Sequence, residues 1–359
     1  MTPAPLMAAP LDLDHIRASV DEVLAAFLDD LERTAPHPQL PELVRALRRL
    51  VGAGGKRLRP LLCVVGWHAA GGAGGRGAAL RLAASLELLH AAVLIHDDLI
   101  DDSATRRGRP TVHRALAARH LTGRGPDALR FGASAALLLG DLTLVWSDHL
   151  LRTARLTDGE YRAVLPVLDA VRRDVLLGQY LDLLSTGTPG DDLDSALAVT
   201  RYKTAHYTVE RPLQAGAALA GAGPELLAAC SDFGIPLGEA FQLRDDLLGV
   251  FGDPRRTGKS DLDDLREGKH TPLIALTLRR ADPHQRSFLR RHLGRPGLRA
   301  ADAAAVRDII RATGARDTVE EMIETRRLRA LAALDAADFP PPATTALHTL
   351  AEAAVRRSA

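Results

Sequence analysis

Aromatic residues are scarce in this chain, at 4% of 359 residues, although 46% of the residues are hydrophobic. Strand-rich folds depend on β-branched and aromatic side chains, so an apolar content made mostly of Ala, Leu and Val favours closely packed helices. Cysteine is also rare. Cys63 and Cys230 lie far apart in the sequence and lack the spacing of metal ligands. We therefore expect an all-α protein whose two thiols are small core residues in a reducing compartment, the cytoplasm.

The chain also lacks a large net charge and a sequence pattern for membrane insertion. The formal charge is +1 with 25% charged residues, which predicts neither a nucleic-acid partner nor attraction to an anionic membrane. The amino terminus has no basic segment before an apolar run, and no apolar stretch approaches the roughly 18 residues that cross a bilayer. We expect no membrane span, and flexible residues at positions 1–11.

Lysine is the rarest cation, with four among 46 basic residues: Lys56, Lys203, Lys259 and Lys269. Lysine is a compact point charge, whereas arginine presents a planar fork. Positions that keep lysine in an arginine-rich chain are therefore candidates for sites where the fork does not fit.

Glycine and proline clusters divide a sequence that is otherwise helical in pattern. Apolar residues recur at three-to-four spacing in the segments 80–102, 137–151 and 237–250. Neither alternating strand patterns nor a strand, glycine-rich loop and helix in succession appears, which argues against a nucleotide-binding α/β fold. No break has the composition of a linker. We predict a single domain over residues 1–359, built from about ten or more helices.

The segment HDDLIDDSATRRGRP, from His96 to Pro110, carries the first acidic cluster. On a helix, Asp97 and Asp101 share a face because they are four residues apart, and their mutual repulsion would be relieved by a divalent cation. Mg²⁺ takes one or two carboxylates and completes its shell with water and phosphate oxygens. The alternative is a solvated helix end neutralised by neighbouring arginines.

A second acidic pair, Asp245 and Asp246 in FQLRDDLLGVFGD, ends another apolar helix. Two such clusters facing each other across a bundle would hold a diphosphate between their metal ions. The lysines accompany these elements, in GGKRLRP (54–60), RYKTAHYT (201–208), TGKS (257–260) and REGKHT (266–271). Together the motifs predict a phosphate substrate.

This ordered set of motifs, with GASAALLLGDL and GQYLDL between them, resembles the trans-type isoprenyl diphosphate synthases, or polyprenyl synthetases. The resemblance covers residues 54–271. It implies the isoprenoid synthase fold, a helical bundle around a deep apolar cavity, usually in a homodimer. It also implies a prenyltransferase that condenses isopentenyl diphosphate with an allylic diphosphate, using several Mg²⁺ ions, usually three.

The resemblance implies a role for each matched position. Catalysis would depend on Asp97, Asp98, Asp101, Asp245 and Lys203, with metal bound by Asp97, Asp101, Asp245 and Asp246. The allylic diphosphate would be bound by Arg106, Lys203, Thr204, Gln242 and Lys259. The isopentenyl diphosphate would be bound by Lys56, Arg59, His90 and Arg107. Gln179 and Asp182 would line the upper cavity, Asp264 would assist the second cluster, and His96 would be a structural support.

Two positions depart from expectation. A full second DDxxD motif would have aspartate at position 249, where this chain has Gly249. Pro212 lacks an amide and should kink its helix near Thr208, which would turn Lys203 and Thr204 toward the site or serve local packing.

Product length depends on the helix before Asp97. Five residues upstream, that helix lies about 7 Å deeper in the cavity. Ala92 and Val93 are small there, so the resemblance implies growth past farnesyl length, to geranylgeranyl diphosphate ahead of longer products.

Two other functions are the alternatives to a prenyl diphosphate synthase: a class I terpene cyclase and a non-catalytic partner subunit. GGKRLRP argues against the first, because a cyclase binds no second diphosphate, and the two acidic clusters argue against the second.

Overall fold

Helices follow one another along the chain with short connections. The computed structural model describes residues 10–72, 75–120, 125–187, 189–253 and 261–355. Its α-helices are α1 (Leu13–Arg33), α2 (Leu40–Val51), α3 (Leu58–Ala69), α4 (Gly77–Ile100), α5 (Val112–Arg119), α6 (Pro126–Arg152), α7 (Asp158–Ser185), α8 (Leu193–Val199), α9 (Arg211–Leu219), α10 (Pro224–Phe251), α11 (Asp263–Glu267), α12 (Pro272–Arg280), α13 (Pro283–His292), α14 (Ala300–Ala312), α15 (Ala315–Ala336) and α16 (Pro341–Val355).

Two further elements interrupt this series. A π-helix spans Thr200–Glu210, between α8 and α9. A hairpin of two-residue strands, β1 (Thr105–Arg106) and β2 (Arg109–Pro110), forms the one sheet among the described residues. The prediction of an all-α fold is confirmed. The predicted helices are present but longer, since α6 begins at Pro126 and α10 at Pro224.

The bundle is organised around α4, whose sequence is apolar on all sides, as expected for a helix buried on all sides. Leu82, Leu88 and Ile95 are completely or almost completely buried. The helix packs mainly against α6 and α3, while α10 packs against α15 and the π-helix. Both cysteines are buried and unpaired, as the sequence predicts. The carboxyl end of α4, with the first acidic cluster, therefore projects from a rigid core.

Two helices are long and apolar enough, by length and composition, to cross a bilayer: α4 and α6. The expectation that no apolar stretch reaches that length is therefore wrong. The apolar window of α4 is 67% buried inside the bundle, which identifies it as a core helix. That of α6 is only 33% buried.

A π-helix occupies the segment where a kink is predicted. The amide of Arg211 donates to the carbonyl of His206, five residues earlier, and the helix continues directly into α9. Pro212 lies at the start of α9, where it has no amide to offer to Thr208. The missing donor is thus accommodated within a wider helical turn, a form typical of functional sites.

Glycines on the neighbouring helices let this segment pack closely. A Cβ atom at Gly178 of α7 would lie 2.4 Å from the backbone nitrogen of Lys203. A Cβ atom at Gly238 of α10 would lie 2.4 Å from the Cα of Ala205, and one at Gly234 would lie 2.8 Å from the Cα of Glu210. The π-helix is therefore held between α7 and α10 by backbone contact, which fixes the position of Lys203.

Gly178→Ala tests this contact, because the added methyl group must displace the backbone of Lys203. We expect a loss of about 1–3 kcal/mol in the free energy of unfolding, the usual cost of overpacking. Gly159→Ala is the matched control on the same helix, where the nearest atom is 4.0 Å away. It should change stability by about 1 kcal/mol or less, in the stabilising direction. Urea unfolding of both variants measures the difference, and equal values would show that the π-helix is not held in this way.

Candidate active site

The first acidic cluster lies at the carboxyl end of α4, with Asp97 and Asp98 in the last turn and Asp101 at the cap. Negative charge is unfavourable at this end of a helix dipole, so the cluster needs cations. Arg106 supplies one. Its Nε donates to both carboxylate oxygens of Asp98, at 2.8 and 2.9 Å, and its Nη2 lies 3.3 Å from Asp97 Oδ2. Asp98 is almost fully buried beneath this contact.

The hairpin explains why Arg106 reaches back to α4. Arg106 pairs with Arg109 across a two-residue loop, in which Arg107 and Gly108 have φ values of 53° and 71°. Positive φ at both loop positions is the geometry of a tight hairpin turn. Because of that turn, Arg106 is directed to the acidic cluster, whereas the guanidinium of Arg107 lies against Gly55.

Lys203 joins three elements at the same place. Its Nζ is 3.1 Å from Asp97 Oδ1 on α4 and 2.6 Å from Asp182 Oδ2 on α7. Burial opposes the charge of Lys203, but the two carboxylates outweigh it and raise its pKa. The pKa of Asp97 is lowered, because the nearby cations, Lys203 foremost, overcome the effect of burial. The pairing with Asp182 was not predicted from the sequence.

The second acidic cluster lies on α10 and is linked to the π-helix. Thr204 Oγ1 donates to Gln242 Oε1 at 2.6 Å, and Gln242 Nε2 donates to Asp246 Oδ1 at 2.8 Å. Burial nevertheless raises the pKa of Asp246 to about 8, with further repulsion from Asp264 and Asp245. A buried carboxyl group beside other carboxylates is stabilised as an anion by an added cation.

Lys269 lies between the two clusters. Its Nζ is 3.4 Å from Asp264 Oδ1 and 3.1 Å from Glu267 Oε2. Burial opposes its charge, but Asp264, Glu267, Asp101 and Asp97 together hold its pKa well above the usual value. The same ammonium also favours the ionised form of Asp246, so it lies close to carboxylates of both clusters. The rarity of lysine singles out Lys269 in the sequence, but no motif match assigns it a role.

Gly249 leaves room for Asp264. A Cβ atom at position 249 would lie 1.8 Å from Asp264 Oδ2. The space that a third aspartate of a DDxxD motif would occupy is therefore filled by the carboxylate of α11. The apparent gap in the second motif thus brings a third carboxylate to the cluster from another helix.

Two of the basic residues predicted for the second diphosphate, Arg59 and His90, meet at Tyr207 of the π-helix. Arg59 Nη2 donates to Thr208 Oγ1 at 2.6 Å, and its guanidinium lies 4.2 Å from the centroid of the Tyr207 ring. His90 Nδ1 is 3.1 Å from the Tyr207 hydroxyl oxygen. Burial and the neighbouring guanidinium groups hold the pKa of His90 well below its usual range, so its imidazole is neutral. Both anion sites thus contact the π-helix.

The other predicted residues have varied locations. Lys259 lies outside the described residues, as do most of the positions predicted to be flexible at the amino terminus. Ala92 is fully buried and Val93 is half-buried on α4. His96 faces α6, where its Nε2 lies 3.3 Å from the Leu137 carbonyl oxygen and its ring occupies the space above Gly140, as a structural support would.

The donor chemistry of the clusters fits Mg²⁺. Burial and the charge of Asp97 raise the pKa of Asp101 to about 6. A bound divalent cation would stabilise the ionised carboxylate and offset this effect. No three acidic, histidine or cysteine side chains converge on one point within the described ranges. Mg²⁺ does not require such a set, because one or two carboxylates suffice when substrate phosphates and water supply the other oxygens.

A family comparison agrees with this geometry. The polyprenyl synthetase family model matches residues 40–312. The chain belongs to the polyprenyl synthetase family. It is a Mg²⁺-dependent trans-prenyltransferase that condenses isopentenyl diphosphate with an allylic diphosphate.

Individual members of the polyprenyl synthetase family are also similar over most of their length. The geranylfarnesyl diphosphate synthase of Aeropyrum pernix is 36% identical over 65% of this chain and 69% of its own length. The geranylgeranyl diphosphate synthase of Sulfolobus acidocaldarius is 30% identical over 83% of both chains. A crystal structure of the Corynebacterium glutamicum geranylgeranyl pyrophosphate synthase, with isoprenyl diphosphate and magnesium, covers 97% of this chain and 100% of its own, at 40% identity and a TM-score of 0.92.

Substitution of Gly249 tests the replacement of the missing aspartate by Asp264. Gly249→Asp and Gly249→Ala should both displace Asp264, because the Cβ atom alone overlaps its carboxylate. We expect each variant to lose most of the stabilisation that wild type gains from Mg²⁺ plus inorganic diphosphate, measured as the shift in Tm. If Gly249→Asp instead gained stabilisation where Gly249→Ala lost it, the family motif would simply be incomplete in this chain.

Proposed function

We propose that the chain makes geranylgeranyl diphosphate by successive additions of isopentenyl diphosphate to a shorter allylic diphosphate (dimethylallyl, geranyl or farnesyl). The observation that carries this proposal is the approach of two acidic clusters around Lys203 and Lys269, beside a separate basic group at Arg59 and His90. A class I terpene cyclase would have no use for that second anion site. A non-catalytic partner subunit would not need both acidic clusters.

The acidic residues would hold Mg²⁺ in two groups. Asp97 and Asp101 would be ligands on one side of the allylic diphosphate, and Asp245, with Asp246 and Asp264 beside it, on the other. When bound, the ions, usually three in this family, neutralise the diphosphate and make it a better leaving group. Asp98, held by Arg106, would support the first group rather than bind metal directly.

Cationic and amide side chains would divide between the two substrates. The allylic diphosphate would be bound by Arg106, Lys203, Thr204, Gln242 and Lys259. The pairing of Lys203 with Asp97 and Asp182 supports this role, because a fixed ammonium would stabilise the negative charge that develops on the diphosphate. Lys56, Arg59, His90 and Arg107 would bind isopentenyl diphosphate.

The reaction would then need no nucleophilic or general-base side chain. The allylic carbon–oxygen bond breaks, the electron pair leaves with the diphosphate, and the double bond of isopentenyl diphosphate attacks the resulting allylic cation. A new carbon–carbon bond forms, and a proton is lost to the departing diphosphate. The buried site would contribute by excluding water and orienting the two substrates.

Product length would be set by the depth of the cavity below Asp97. Ala92 and Val93 are small, and they lie one to two turns below the acidic cluster on α4. Two similar chains are named as synthases of geranylgeranyl diphosphate and of the longer geranylfarnesyl diphosphate. The structural similarity to a geranylgeranyl pyrophosphate synthase supports the shorter of these two.

The chain would work as a single-domain subunit of a homodimer in the cytoplasm. α6 and α7 both expose large apolar side chains: Leu129, Phe131, Leu137, Leu138, Val145, Leu176, Leu177, Tyr180, Leu183 and Leu184. Exposed apolar patches of this kind mark interaction surfaces. A second copy covering them would also account for the low burial of α6, without a membrane.

Removal of one metal ligand should abolish activity without unfolding the bundle. We expect Asp97→Ala and Asp245→Ala to lower kcat by at least about a thousandfold, because oxyanion and metal contacts of this kind contribute several kcal/mol to the transition state. Asp102→Ala is the matched control. Asp102 belongs to the same motif but is exposed and paired with Arg114, so activity should be retained.

Chelation should stop turnover and Mg²⁺ should restore it. Activity of Asp97→Ala within tenfold of wild type, or condensation in excess EDTA, would refute the proposed metal site.

Bulk added below the first acidic cluster should shorten the product. We expect Ala92→Phe and Val93→Phe to shift the products toward farnesyl diphosphate while the first condensation continues, because the aromatic ring obstructs the growing chain. Chromatography of the dephosphorylated products measures the distribution. Unchanged products in both variants would show that the floor of the cavity is formed by other residues.

A further inference from the structure

Arg57 lies within the motif that supplies Lys56 and Arg59, yet its side chain has a different environment. It is 7% exposed, and its guanidinium donates three hydrogen bonds to three different helices. Nε donates to Asp21 Oδ1 of α1 at 2.8 Å, Nη1 to Glu87 Oε1 of α4 at 2.6 Å, and Nη2 to the Val51 carbonyl at the end of α2 at 2.8 Å.

One guanidinium faces two carboxylates at this junction. Glu87 is also buried, at 6% exposure. Burial opposes the charge of Arg57, but Glu87 and Asp21 outweigh it and raise its pKa. A planar guanidinium can donate to three acceptors arranged in this way, whereas the single ammonium of lysine has a different geometry. The contact is therefore specific to arginine, and both of its ionic partners come from other parts of the sequence.

The backbone at this position is strained. Arg57 has a φ of 49°, in the left-handed region that residues other than glycine rarely adopt, and it immediately precedes α3. Such a conformation persists where the surrounding structure enforces it. The three hydrogen bonds supply that restraint. Two residues later, Arg59 reaches the π-helix at Thr208, so the restraint acts next to the anion-binding side chains.

Glu87 connects the same restraint to His90. The two residues are three apart on α4 and so share a face of the helix. Fixing Arg57 on Glu87 therefore fixes the position of Lys56 and Arg59 relative to His90. Asp21 adds a contact from α1, which precedes residue 40, where the match to the family model begins.

We propose that Arg57 is a positioning residue for the isopentenyl diphosphate site, and that α1 takes part in binding this substrate through the Asp21–Arg57 ion pair. The inference rests on the proposed roles of Lys56, Arg59 and His90. It predicts a selective effect on one of the two substrates, which a merely structural contact would not produce.

Asp21→Asn is the first test, because Asp21 is half-exposed and its removal leaves the buried Arg57–Glu87 pair in place. In the full-length protein with Mg²⁺, we expect KM for isopentenyl diphosphate to rise about threefold to tenfold, as for a coupling between contacting groups. The KM for the allylic diphosphate and kcat should stay within about twofold, since no contact to that site is lost.

Asp29→Asn is the matched control. Asp29 also lies on α1 and ties it to α2, through a 2.7 Å contact with Arg48, without contacting the motif at 54–60. All three kinetic constants should be unchanged. Equal effects of Asp21→Asn and Asp29→Asn, no change in Asp21→Asn, or equal increases in both KM values would overturn the proposal.

Arg57→Asn and Arg57→Lys extend the test. Asparagine tolerates the left-handed backbone but lacks the guanidinium, and lysine keeps only the charge. Both should weaken isopentenyl diphosphate binding more than Asp21→Asn, and adding Asp21→Asn to Arg57→Asn should have little further effect. Additive effects would contradict a shared mechanism. If the Arg57 variants do not fold by circular dichroism, the comparison of Asp21→Asn with Asp29→Asn decides the question.

The isopentenyl diphosphate site can be tested independently of the role of Arg57. A wild-type chain that binds no isopentenyl diphosphate by calorimetry, or an Arg59→Ala variant that impairs only the allylic substrate, would refute the site assignment itself. If the wild-type chain binds isopentenyl diphosphate and Arg59→Ala binds it weakly, the site assignment holds. The Arg57 and Asp21 variants then test only the positioning role.

Discussion

Confining negative charge at the ends of two apolar helices is the constraint on which the rest of this structure depends. Asp98 and Asp246 are buried, and the carboxylates around them repel one another. Arg106, Lys203 and Lys269 reduce that repulsion from three different elements. The same arrangement suits a metal-bound diphosphate, because the site combines fixed cations with carboxylates that gain from divalent ions.

The π-helix is the element through which the two anion sites meet. One side chain, Lys203, contacts the first acidic cluster, and Thr204 connects to the second through Gln242. Farther along, Tyr207 and Thr208 contact His90 and Arg59. Because Gly178, Gly234 and Gly238 bring the neighbouring helices against its backbone, these side chains are held on a rigid support. Both substrates would therefore be oriented from one segment.

Local sequence patterns predicted the residues of the acidic clusters, but not the form of the helix that joins them. The spacing of Asp97 and Asp101, the second pair at Asp245, and the scarcity of lysine all follow from the chain as written. The wide turn at Thr200–Glu210 did not, because the missing amide at Pro212 predicts an irregular helix but not the form that the irregularity takes.

The sequence by itself determined the helical class, the family motifs and the residue types at the two acidic clusters, because these depend on composition and on spacing along one helix. Only the tertiary structure decided that Asp264 fills the space above Gly249, that Lys203 pairs with Asp182, and that Arg57 joins α1, α2 and α4. Each of these contacts links distant parts of the chain, so it depends on how whole helices pack. The spacing of residues within one motif does not predict such a contact.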